Sequence, residues 1–108
     1  MSEKFNNLIN ILNDSTARID EKDDAIILLA ELGDKRALEH LYKIGSDENQ
    51  DYILKSSAGE SMAAIMIENN YFDEKYIIGL TKDARHEAVG LIVVKKPEWR
   101  NFLESKRI

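Results

Sequence analysis

The sequence contains no cysteine, one proline and no long hydrophobic run. The absence of cysteine excludes disulfide bonds, thiolate catalysis and cysteine-ligated zinc. The longest apolar runs, 25–30 and 91–94, are far shorter than the ~20 residues that a membrane-spanning helix needs. The N-terminal residues also lack the basic-then-apolar pattern of a secretory signal. We therefore expect a cytoplasmic protein that makes no use of a membrane.

Residues that commonly carry chemistry are few and badly spaced. The two histidines, His40 and His86, lie far apart in the sequence, and neither belongs to a His-x-x-x-His or Glu-x-x-His pair. The segment Gly59-Glu60-Ser61 has no second glycine after the serine, so it does not form a nucleophile elbow. Glycine-rich phosphate loops are absent. We predict a protein with no catalytic residues, no metal site and no cofactor.

Length and charge indicate the class of partner. The chain of 108 residues is long enough for one domain, 1–108, and 44% of its residues are hydrophobic. Residues 1–54 carry 12 acidic and 6 basic side chains, whereas residues 55–108 carry 8 acidic and 9 basic side chains. A negative field repels nucleic acid and attracts basic proteins. We expect a protein partner, no nucleic acid, and a monomer when the chain is free.

A six-residue apolar pattern recurs along the chain. It begins at Ala25 and returns, in looser form, at Ala58 and Ala88, with spacings of 33 and 30 residues. Repeats of this length are typical of stacked helical hairpins, since one hairpin cannot bury its apolar face alone. The pattern predicts that Leu28, Met62 and Leu91 share one interior.

Apolar periodicity and capping residues place six or seven helices and no convincing strand. A first helix is predicted around 5–12. The second is expected from the Asp20 cap to Leu32, where Gly33 ends it in the left-handed conformation. The others are a third helix capped by Asp34, a fourth over 50–68, a fifth over 73–81, a sixth capped by Asp83 and a short seventh that begins at Pro97. The alternative for 91–94 is a short buried strand.

Three glycines fall inside these predicted helices: Gly59, Gly79 and Gly90. A glycine in a helix is less favourable than alanine by about 1 kcal/mol. We interpret all three as points of close helix packing rather than as bends.

The segment 24–38, DAIILLAELGDKRAL, resembles a HEAT-type helical repeat. That family has an Ala- and Leu-rich first helix, a Leu-Gly-Asp turn, and a second helix that opens with a small residue and leucine. The resemblance covers 22–45 well and 55–81 and 84–107 more loosely. It implies an all-α fold, a short α-solenoid of about three antiparallel helical hairpins, and a protein-binding surface without catalysis. A small, acidic protein of this kind is similar to the immunity proteins of bacterial toxin–immunity systems of the contact-dependent inhibition type.

Two acidic groups are the candidate binding residues. Helix capping and solvation explain some of their members, while an acidic binding patch explains the remainder, and both interpretations stay open. Tyr52 adds an aromatic side chain of the kind that anchors interfaces. The candidate partner-binding residues are Asp20, Glu21, Asp23, Asp24, Asp47, Glu48, Asp51 and Tyr52.

Three functional hypotheses follow. The first is an immunity protein whose acidic surface covers the active site of a basic, nuclease-type toxin. The second is a non-catalytic adaptor or assembly subunit, against which the polar outer sides of the first and last helices argue. The third, ranked below both, is a nucleic-acid-binding repeat that would use the basic residues of the last third of the chain, Lys82, Arg85, Lys95, Lys96, Arg100, Lys106 and Arg107.

Overall fold

The computed structural model describes residues 2–105, and this part of the chain is helical without strands. Its helices are α1 (Ser2–Asn13), α2 (Ile19–Leu32), α3 (Ala37–Gly45), α4 (Tyr52–Glu68), α5 (Lys75–Ile78), α6 (Lys82–Lys95), a 3₁₀ turn (Pro97–Trp99) and α7 (Arg100–Ser105). The all-helical prediction is therefore confirmed, and the strand alternative for 91–94 is wrong. That segment continues α6, because it extends the spacing of the buried residues Ala84, Ala88 and Ile92.

The ends of α2 show where local sequence rules hold and where they fail. Gly33 ends the helix as predicted, with a φ of 67° and its N–H directed at the carbonyls of Leu29 and Ala30. The start is different, because Arg18 and not Asp20 occupies the N-cap position. The Glu21 carboxylate accepts a hydrogen bond from the Arg18 amide at 2.8 Å, which fixes the start two residues earlier.

The region around α5 and the start of α6 also differs from the prediction. The helix α5 is a single turn, because the chain leaves it at Gly79 and the Thr81 amide bonds to the Gly45 carbonyl at 2.9 Å. Thr81 then caps α6 by accepting from the Ala84 amide at 3.3 Å. Asp83, the predicted cap, lies in the first turn and faces Lys55 instead, at 3.9 Å.

Helix α4 is the centre of the fold and packs against α2, α3 and α6. At its C-terminal end, the Asn69 side-chain amide donates to the Gly33 carbonyl at 2.8 Å. Beside it, the Lys96 ammonium donates to the Asn70 side chain at 2.8 Å. The C-terminal ends of α2, α4 and α6 therefore meet, and the three helices run side by side in the same direction.

Helices α1, α3 and α5 cover the other side of this row. The Phe5 ring of α1 contacts the His40 ring of α3 edge-on at 6.3 Å, and the Tyr76 hydroxyl donates to Glu39 at 2.6 Å, which joins α5 to α3. Helices α2 and α3 make little direct contact with each other, although both pack against α4. The shortest dimension is 19 Å, which is the thickness of two layers of helices.

The recurrent apolar pattern forms the shared core, but the positions of the pattern that are buried differ from the prediction. Its first positions, Ala25, Ala58 and Ala88, are at most 1% exposed, and its fifth positions, Leu29, Met62 and Ile92, are fully buried. Met62 is fully buried as predicted, and Leu91 is half-buried and packs against the core, but Leu28 is 37% exposed, so its predicted place in the interior is wrong. The fifth position of the pattern lies four residues after the first, so the two side chains point within about 40° of each other around the helix axis. The fourth position lies three residues after the first and is turned about 60° in the opposite sense, toward solvent.

The glycines separate into two kinds. A Cβ atom at Gly59 would overlap the backbone carbonyl of Ala84, so α4 and α6 approach closely there, as predicted. Gly79 lies just after α5 against the Tyr42 side chain. At Gly90, no heavy atom of the described residues outside its own helix lies near the position of a Cβ. The close-packing interpretation is therefore wrong for Gly90.

Candidate functional site

The two acidic groups lie at the same end of the molecule. The first group begins α2 and the second leads into α4, and these helices run in the same direction. The start of α6 is at this end too, where Lys55 reaches both Asp83 at 3.9 Å and the Glu48 carbonyl at 3.4 Å. We call this surface the acidic end and define it by Asp20, Glu21, Asp23, Asp24, Asp47, Glu48, Asp51 and Tyr52. Among the described residues, no hydrogen bond joins one acidic group to the other.

In the first group, half of the carboxylates serve local structure. Asp20 is exposed and pairs with the Arg18 guanidinium at 3.0 Å, and this hydrogen bond holds the pKa of Asp20 below its ordinary value. Glu21 bonds to the Arg18 amide. Asp24 is exposed and makes no hydrogen bond or ion pair with the described residues. Asp23 is half-buried, and its Oδ1 atom is buried without a partner in the described part of the chain.

In the second group, two carboxylates hold the loop and the helix start. Asp51 caps α4 by accepting from the Ile53 amide at 2.9 Å and the Leu54 amide at 3.4 Å. Asp47 closes a turn by accepting from the Asn49 amide at 2.9 Å. The Glu48 carboxylate is exposed and has no partner within residues 2–105. The acids that local structure leaves unused are therefore Asp23, Asp24 and Glu48.

Exposed apolar side chains stand beside these acids. Tyr52 is 63% exposed and Ile53 is 52% exposed, although both belong to the first turn of α4. Of the other tyrosines, Tyr42 and Tyr76 pack at the edge of the core, with ring centroids 5.5 Å apart. Burial, followed by the hydrogen bond to Glu39, raises the pKa of Tyr76 above its ordinary value. Tyr76 is thus a structural residue, whereas Tyr52 is free to make contacts.

A second surface feature was not anticipated from the sequence. A groove of about 330 Å³ crosses the outer side of the α2–α4–α6 layer, and it continues into a second depression of about 290 Å³ that shares Glu60 and Leu91. We call the two together the outer groove. It is lined by Ile27, Ala30, Glu31, Glu60, Ser61, Ala64, His86, Glu87, Gly90, Leu91 and Val94. The sequence did contain one indication of this groove. Ile27 lies on the same stripe of α2 as Asp24 and Glu31, so an apolar side chain is placed between two acids on one side of the helix.

The basic residues of the last third that the structure describes do not form one patch. Lys82 and Lys95 lie at opposite ends of α6, about 20 Å apart along its axis. Arg85 donates to the carbonyls of Ile78 and Leu80, and Lys96 donates to Asn70. Arg100 is exposed beyond the 3₁₀ turn, and Lys106 and Arg107 lie outside the described residues.

The histidines sit in separate environments. His40 is half-buried against Phe5, whereas His86 is exposed at the outer groove. Within residues 2–105, no group of three or more histidine, aspartate or glutamate side chains is arranged to hold a metal ion.

Comparison with known proteins found no match to a family model, a curated protein or a solved structure. None of the helices between residues 2 and 105 combines the length and the apolar character needed to cross a bilayer. The acidic end and the outer groove both combine unpaired carboxylates with exposed apolar side chains.

Proposed function

We propose that this protein is a non-catalytic binding module built as a short HEAT-like α-solenoid of about three antiparallel helical hairpins. Two features support this arrangement. The helices α2, α4 and α6 lie side by side in one direction, with α1, α3 and α5 behind them. The buried alanines recur at intervals of 33 and 30 residues, once in each helix of the row.

The module acts as an immunity protein that neutralises a basic, nuclease-type bacterial toxin by covering its active site. The supporting observation is that Asp24 and Glu48 stand exposed and unpaired at the same end as the exposed Tyr52 and Ile53. By contrast, Asp20 and Asp34 are each paired with an arginine, and Asp51 caps α4. Unpaired charge next to exposed apolar area is the composition of a surface that gains energy from a partner.

The mechanism is occlusion without chemistry. A nuclease active site carries positive charge because it holds phosphates, so an acidic surface competes for the same groups. The carboxylates speed the encounter by long-range attraction, and Tyr52 contributes contact area that is desolvated in the complex. Binding should therefore be tight and should weaken as salt concentration rises.

The test begins with capture of the partner from the native host and a growth assay. The captured protein should be toxic when expressed alone and harmless when this chain is expressed with it. The double variant Asp24→Lys/Glu48→Lys should lower the association rate at least tenfold at low salt and abolish protection. A matched control, Glu3→Lys/Glu104→Lys, makes the same charge change on α1 and α7 and should protect like the wild type. A harmless captured protein, or full protection by the double variant, would contradict the proposal.

An adaptor or assembly subunit is the second candidate. Val94 is 74% exposed and Phe102 is 54% exposed near the last helices, which favours stacking onto another protein. Against this, Asn6, Asn7, Asn10 and Asn13 on α1, and Glu98, Arg100 and Asn101 at the other end, are all exposed polar residues. Lys106, the further polar residue expected there, lies outside the described residues. Sedimentation at increasing concentration separates the candidates, because a stacking subunit forms polymers and an immunity protein stays monomeric.

A further inference from the structure

The outer groove has apolar walls and a floor of small side chains. Ile27 of α2 forms one wall and is 46% exposed, and Leu91 and Val94 of α6 form the other. The floor lies on α4, where Ser61 and Ala64 are too small to fill the space between the walls. Since neighbouring helix axes lie about 8–10 Å apart, the axes of α2 and α6 are roughly 16–20 Å apart across α4. Since each flanking helix has a radius of about 5–6 Å, a helix of about 10–12 Å diameter rests on top of the two walls and inserts its side chains between them.

The carboxylates that line this groove have no partner among the described residues, although His86 and Gly90 at its α6 edge also border a depression lined by Lys82 and Arg85. Glu31, Glu60 and Glu87 line it, and none of them makes a hydrogen bond or an ion pair with the rest of residues 2–105. No described lysine or arginine lines either part of the outer groove itself. By contrast, Glu39 at the other layer is paired with Lys75. These three glutamates are therefore unneutralised and complement a cationic partner.

Gly90 marks a place where another backbone can approach. It lies inside α6 at the edge of the groove, and glycine is unfavourable in a helix interior. Gly59 has a reason within the fold, because α6 packs against it, but no described residue outside the helix approaches the position of a Cβ at Gly90. An approach from outside the chain would use the space that Gly90 leaves.

We propose that the outer groove binds an amphipathic α-helix of a protein partner that carries lysine or arginine beside its apolar stripe. The stripe lies against Ile27, Ala64 and Leu91, and the basic side chains pair with the three glutamates. This is helix-in-groove recognition, in which the apolar contacts give affinity and the charges give orientation. The inference goes beyond the immunity function, because it concerns another surface and requires only that the partner present such a helix.

The experiment uses synthetic probes and the full chain. Three helix-forming peptides of equal length are compared: a leucine stripe flanked by lysine, the same stripe flanked by glutamate, and the lysine peptide with its order scrambled. Fluorescence anisotropy should show at least tenfold tighter binding of the lysine-flanked peptide than of the other two, and the affinity should fall with salt. Amide chemical-shift changes should centre on Ile27, Ala64 and Leu91.

Variants in the groove supply the second measurement. Ala64→Trp fills the floor from its solvent side, and Glu60→Lys reverses one of the three glutamate charges. Each should weaken binding of the lysine-flanked peptide at least fivefold while the circular dichroism spectrum stays helical. Glu104→Lys makes the same charge change on α7 and should leave binding unchanged.

Several results would overturn the inference. Equal affinity for the lysine- and glutamate-flanked peptides would show that the three glutamates do not select a basic partner. Shift changes centred elsewhere, or unchanged binding by both groove variants, would exclude the groove. A concentration-dependent dimer that Ala64→Trp abolishes would show that a second copy covers this face. None of these results changes the expected outcome of the growth-protection assay, because that assay depends on Asp24 and Glu48 at the acidic end.

Discussion

At the scale of single residues, glycine has a different structural role at two positions of this chain. Gly59 lies where the backbones of α4 and α6 meet, so no side chain fits there. Gly90 lies in a helix of the same layer and faces open space. Substitution of Gly59 therefore measures the cost of overpacking, and substitution of Gly90 measures the cost of glycine flexibility in a helix.

Gly59→Ala and Gly90→Ala should change the free energy of unfolding in opposite directions. The first should destabilise the protein by about 1–3 kcal/mol or more, because the added methyl group overlaps the Ala84 backbone. The second should stabilise it by about 0.5–1 kcal/mol, because alanine loses less conformational entropy than glycine in a helix. Urea unfolding of each variant measures both effects, and equal signs would contradict the packing of α6 on α4.

Individual acids also differ in what fixes them. Asp20 and Glu21 are held by Arg18, and Asp47 and Asp51 by backbone amides. The sequence could predict that some acids cap helices, since capping needs only neighbours in the chain. It could not predict that Asp23 has a buried, unpartnered oxygen, because this depends on what lies across from α2.

At the scale of helices, Asp51 at the start of α4 has two possible roles, capping the helix and contributing charge to the acidic end, and substitutions can distinguish them. Asp51 accepts from two amides in the first turn, and it also belongs to the acidic end. Asparagine caps a helix about as well as aspartate but carries no charge.

Asp51→Ala should lower the free energy of unfolding by about 1 kcal/mol, because the first amides of α4 lose their acceptor. Asp51→Asn should leave stability within about 0.5 kcal/mol of the wild type. Chemical denaturation with a two-state fit compares the three proteins. If Asn and Ala were equally destabilising, the charge and not the cap would be what Asp51 contributes to the fold.

Helix boundaries were predictable only where the signal is local. Gly33 ends α2 in a left-handed conformation that its own residue type permits. The fifth helix, in contrast, was predicted over 73–81 and is one turn long. A backbone hydrogen bond from Thr81 to Gly45, far away in the sequence, ends it early.

At the scale of the whole molecule, α4 connects the parts that would otherwise be separate. It contacts α2, α3 and α6, and its residue Met62 is fully buried among them. A protein organised in this way should unfold as one unit, since losing α4 removes the support of both neighbouring helices in its row.

Met62→Ala should destabilise the protein by about 2–5 kcal/mol, because it leaves a cavity at the centre. The unfolding transitions from far-ultraviolet circular dichroism and from the fluorescence of Trp99 should shift together. Leu28→Ala, at a position that is 37% exposed, serves as the control and should cost less than about 1 kcal/mol. A Trp99 transition that stays in place while the circular dichroism transition moves would show that the two ends unfold independently.

The sequence by itself determined that the described chain is helical, where several of its helices end and that an apolar pattern recurs at intervals of 33 and 30 residues. These properties follow from the chemistry of neighbouring residues and from the 3.6-residue period, and both can be read along the chain. It also determined the acidity of the first half, which is a count of side chains.

Only the tertiary structure decided which side of each helix is covered. Leu28 and Leu29 are adjacent and identical, yet one faces solvent and the other is fully buried, because α4 approaches α2 from one direction. The same packing leaves Asp24 and Glu48 unpaired and joins Ile27, Ala64 and Leu91 from three helices into one groove. The groove depends on contacts between residues 27 or more positions apart, and no local pattern encodes those contacts.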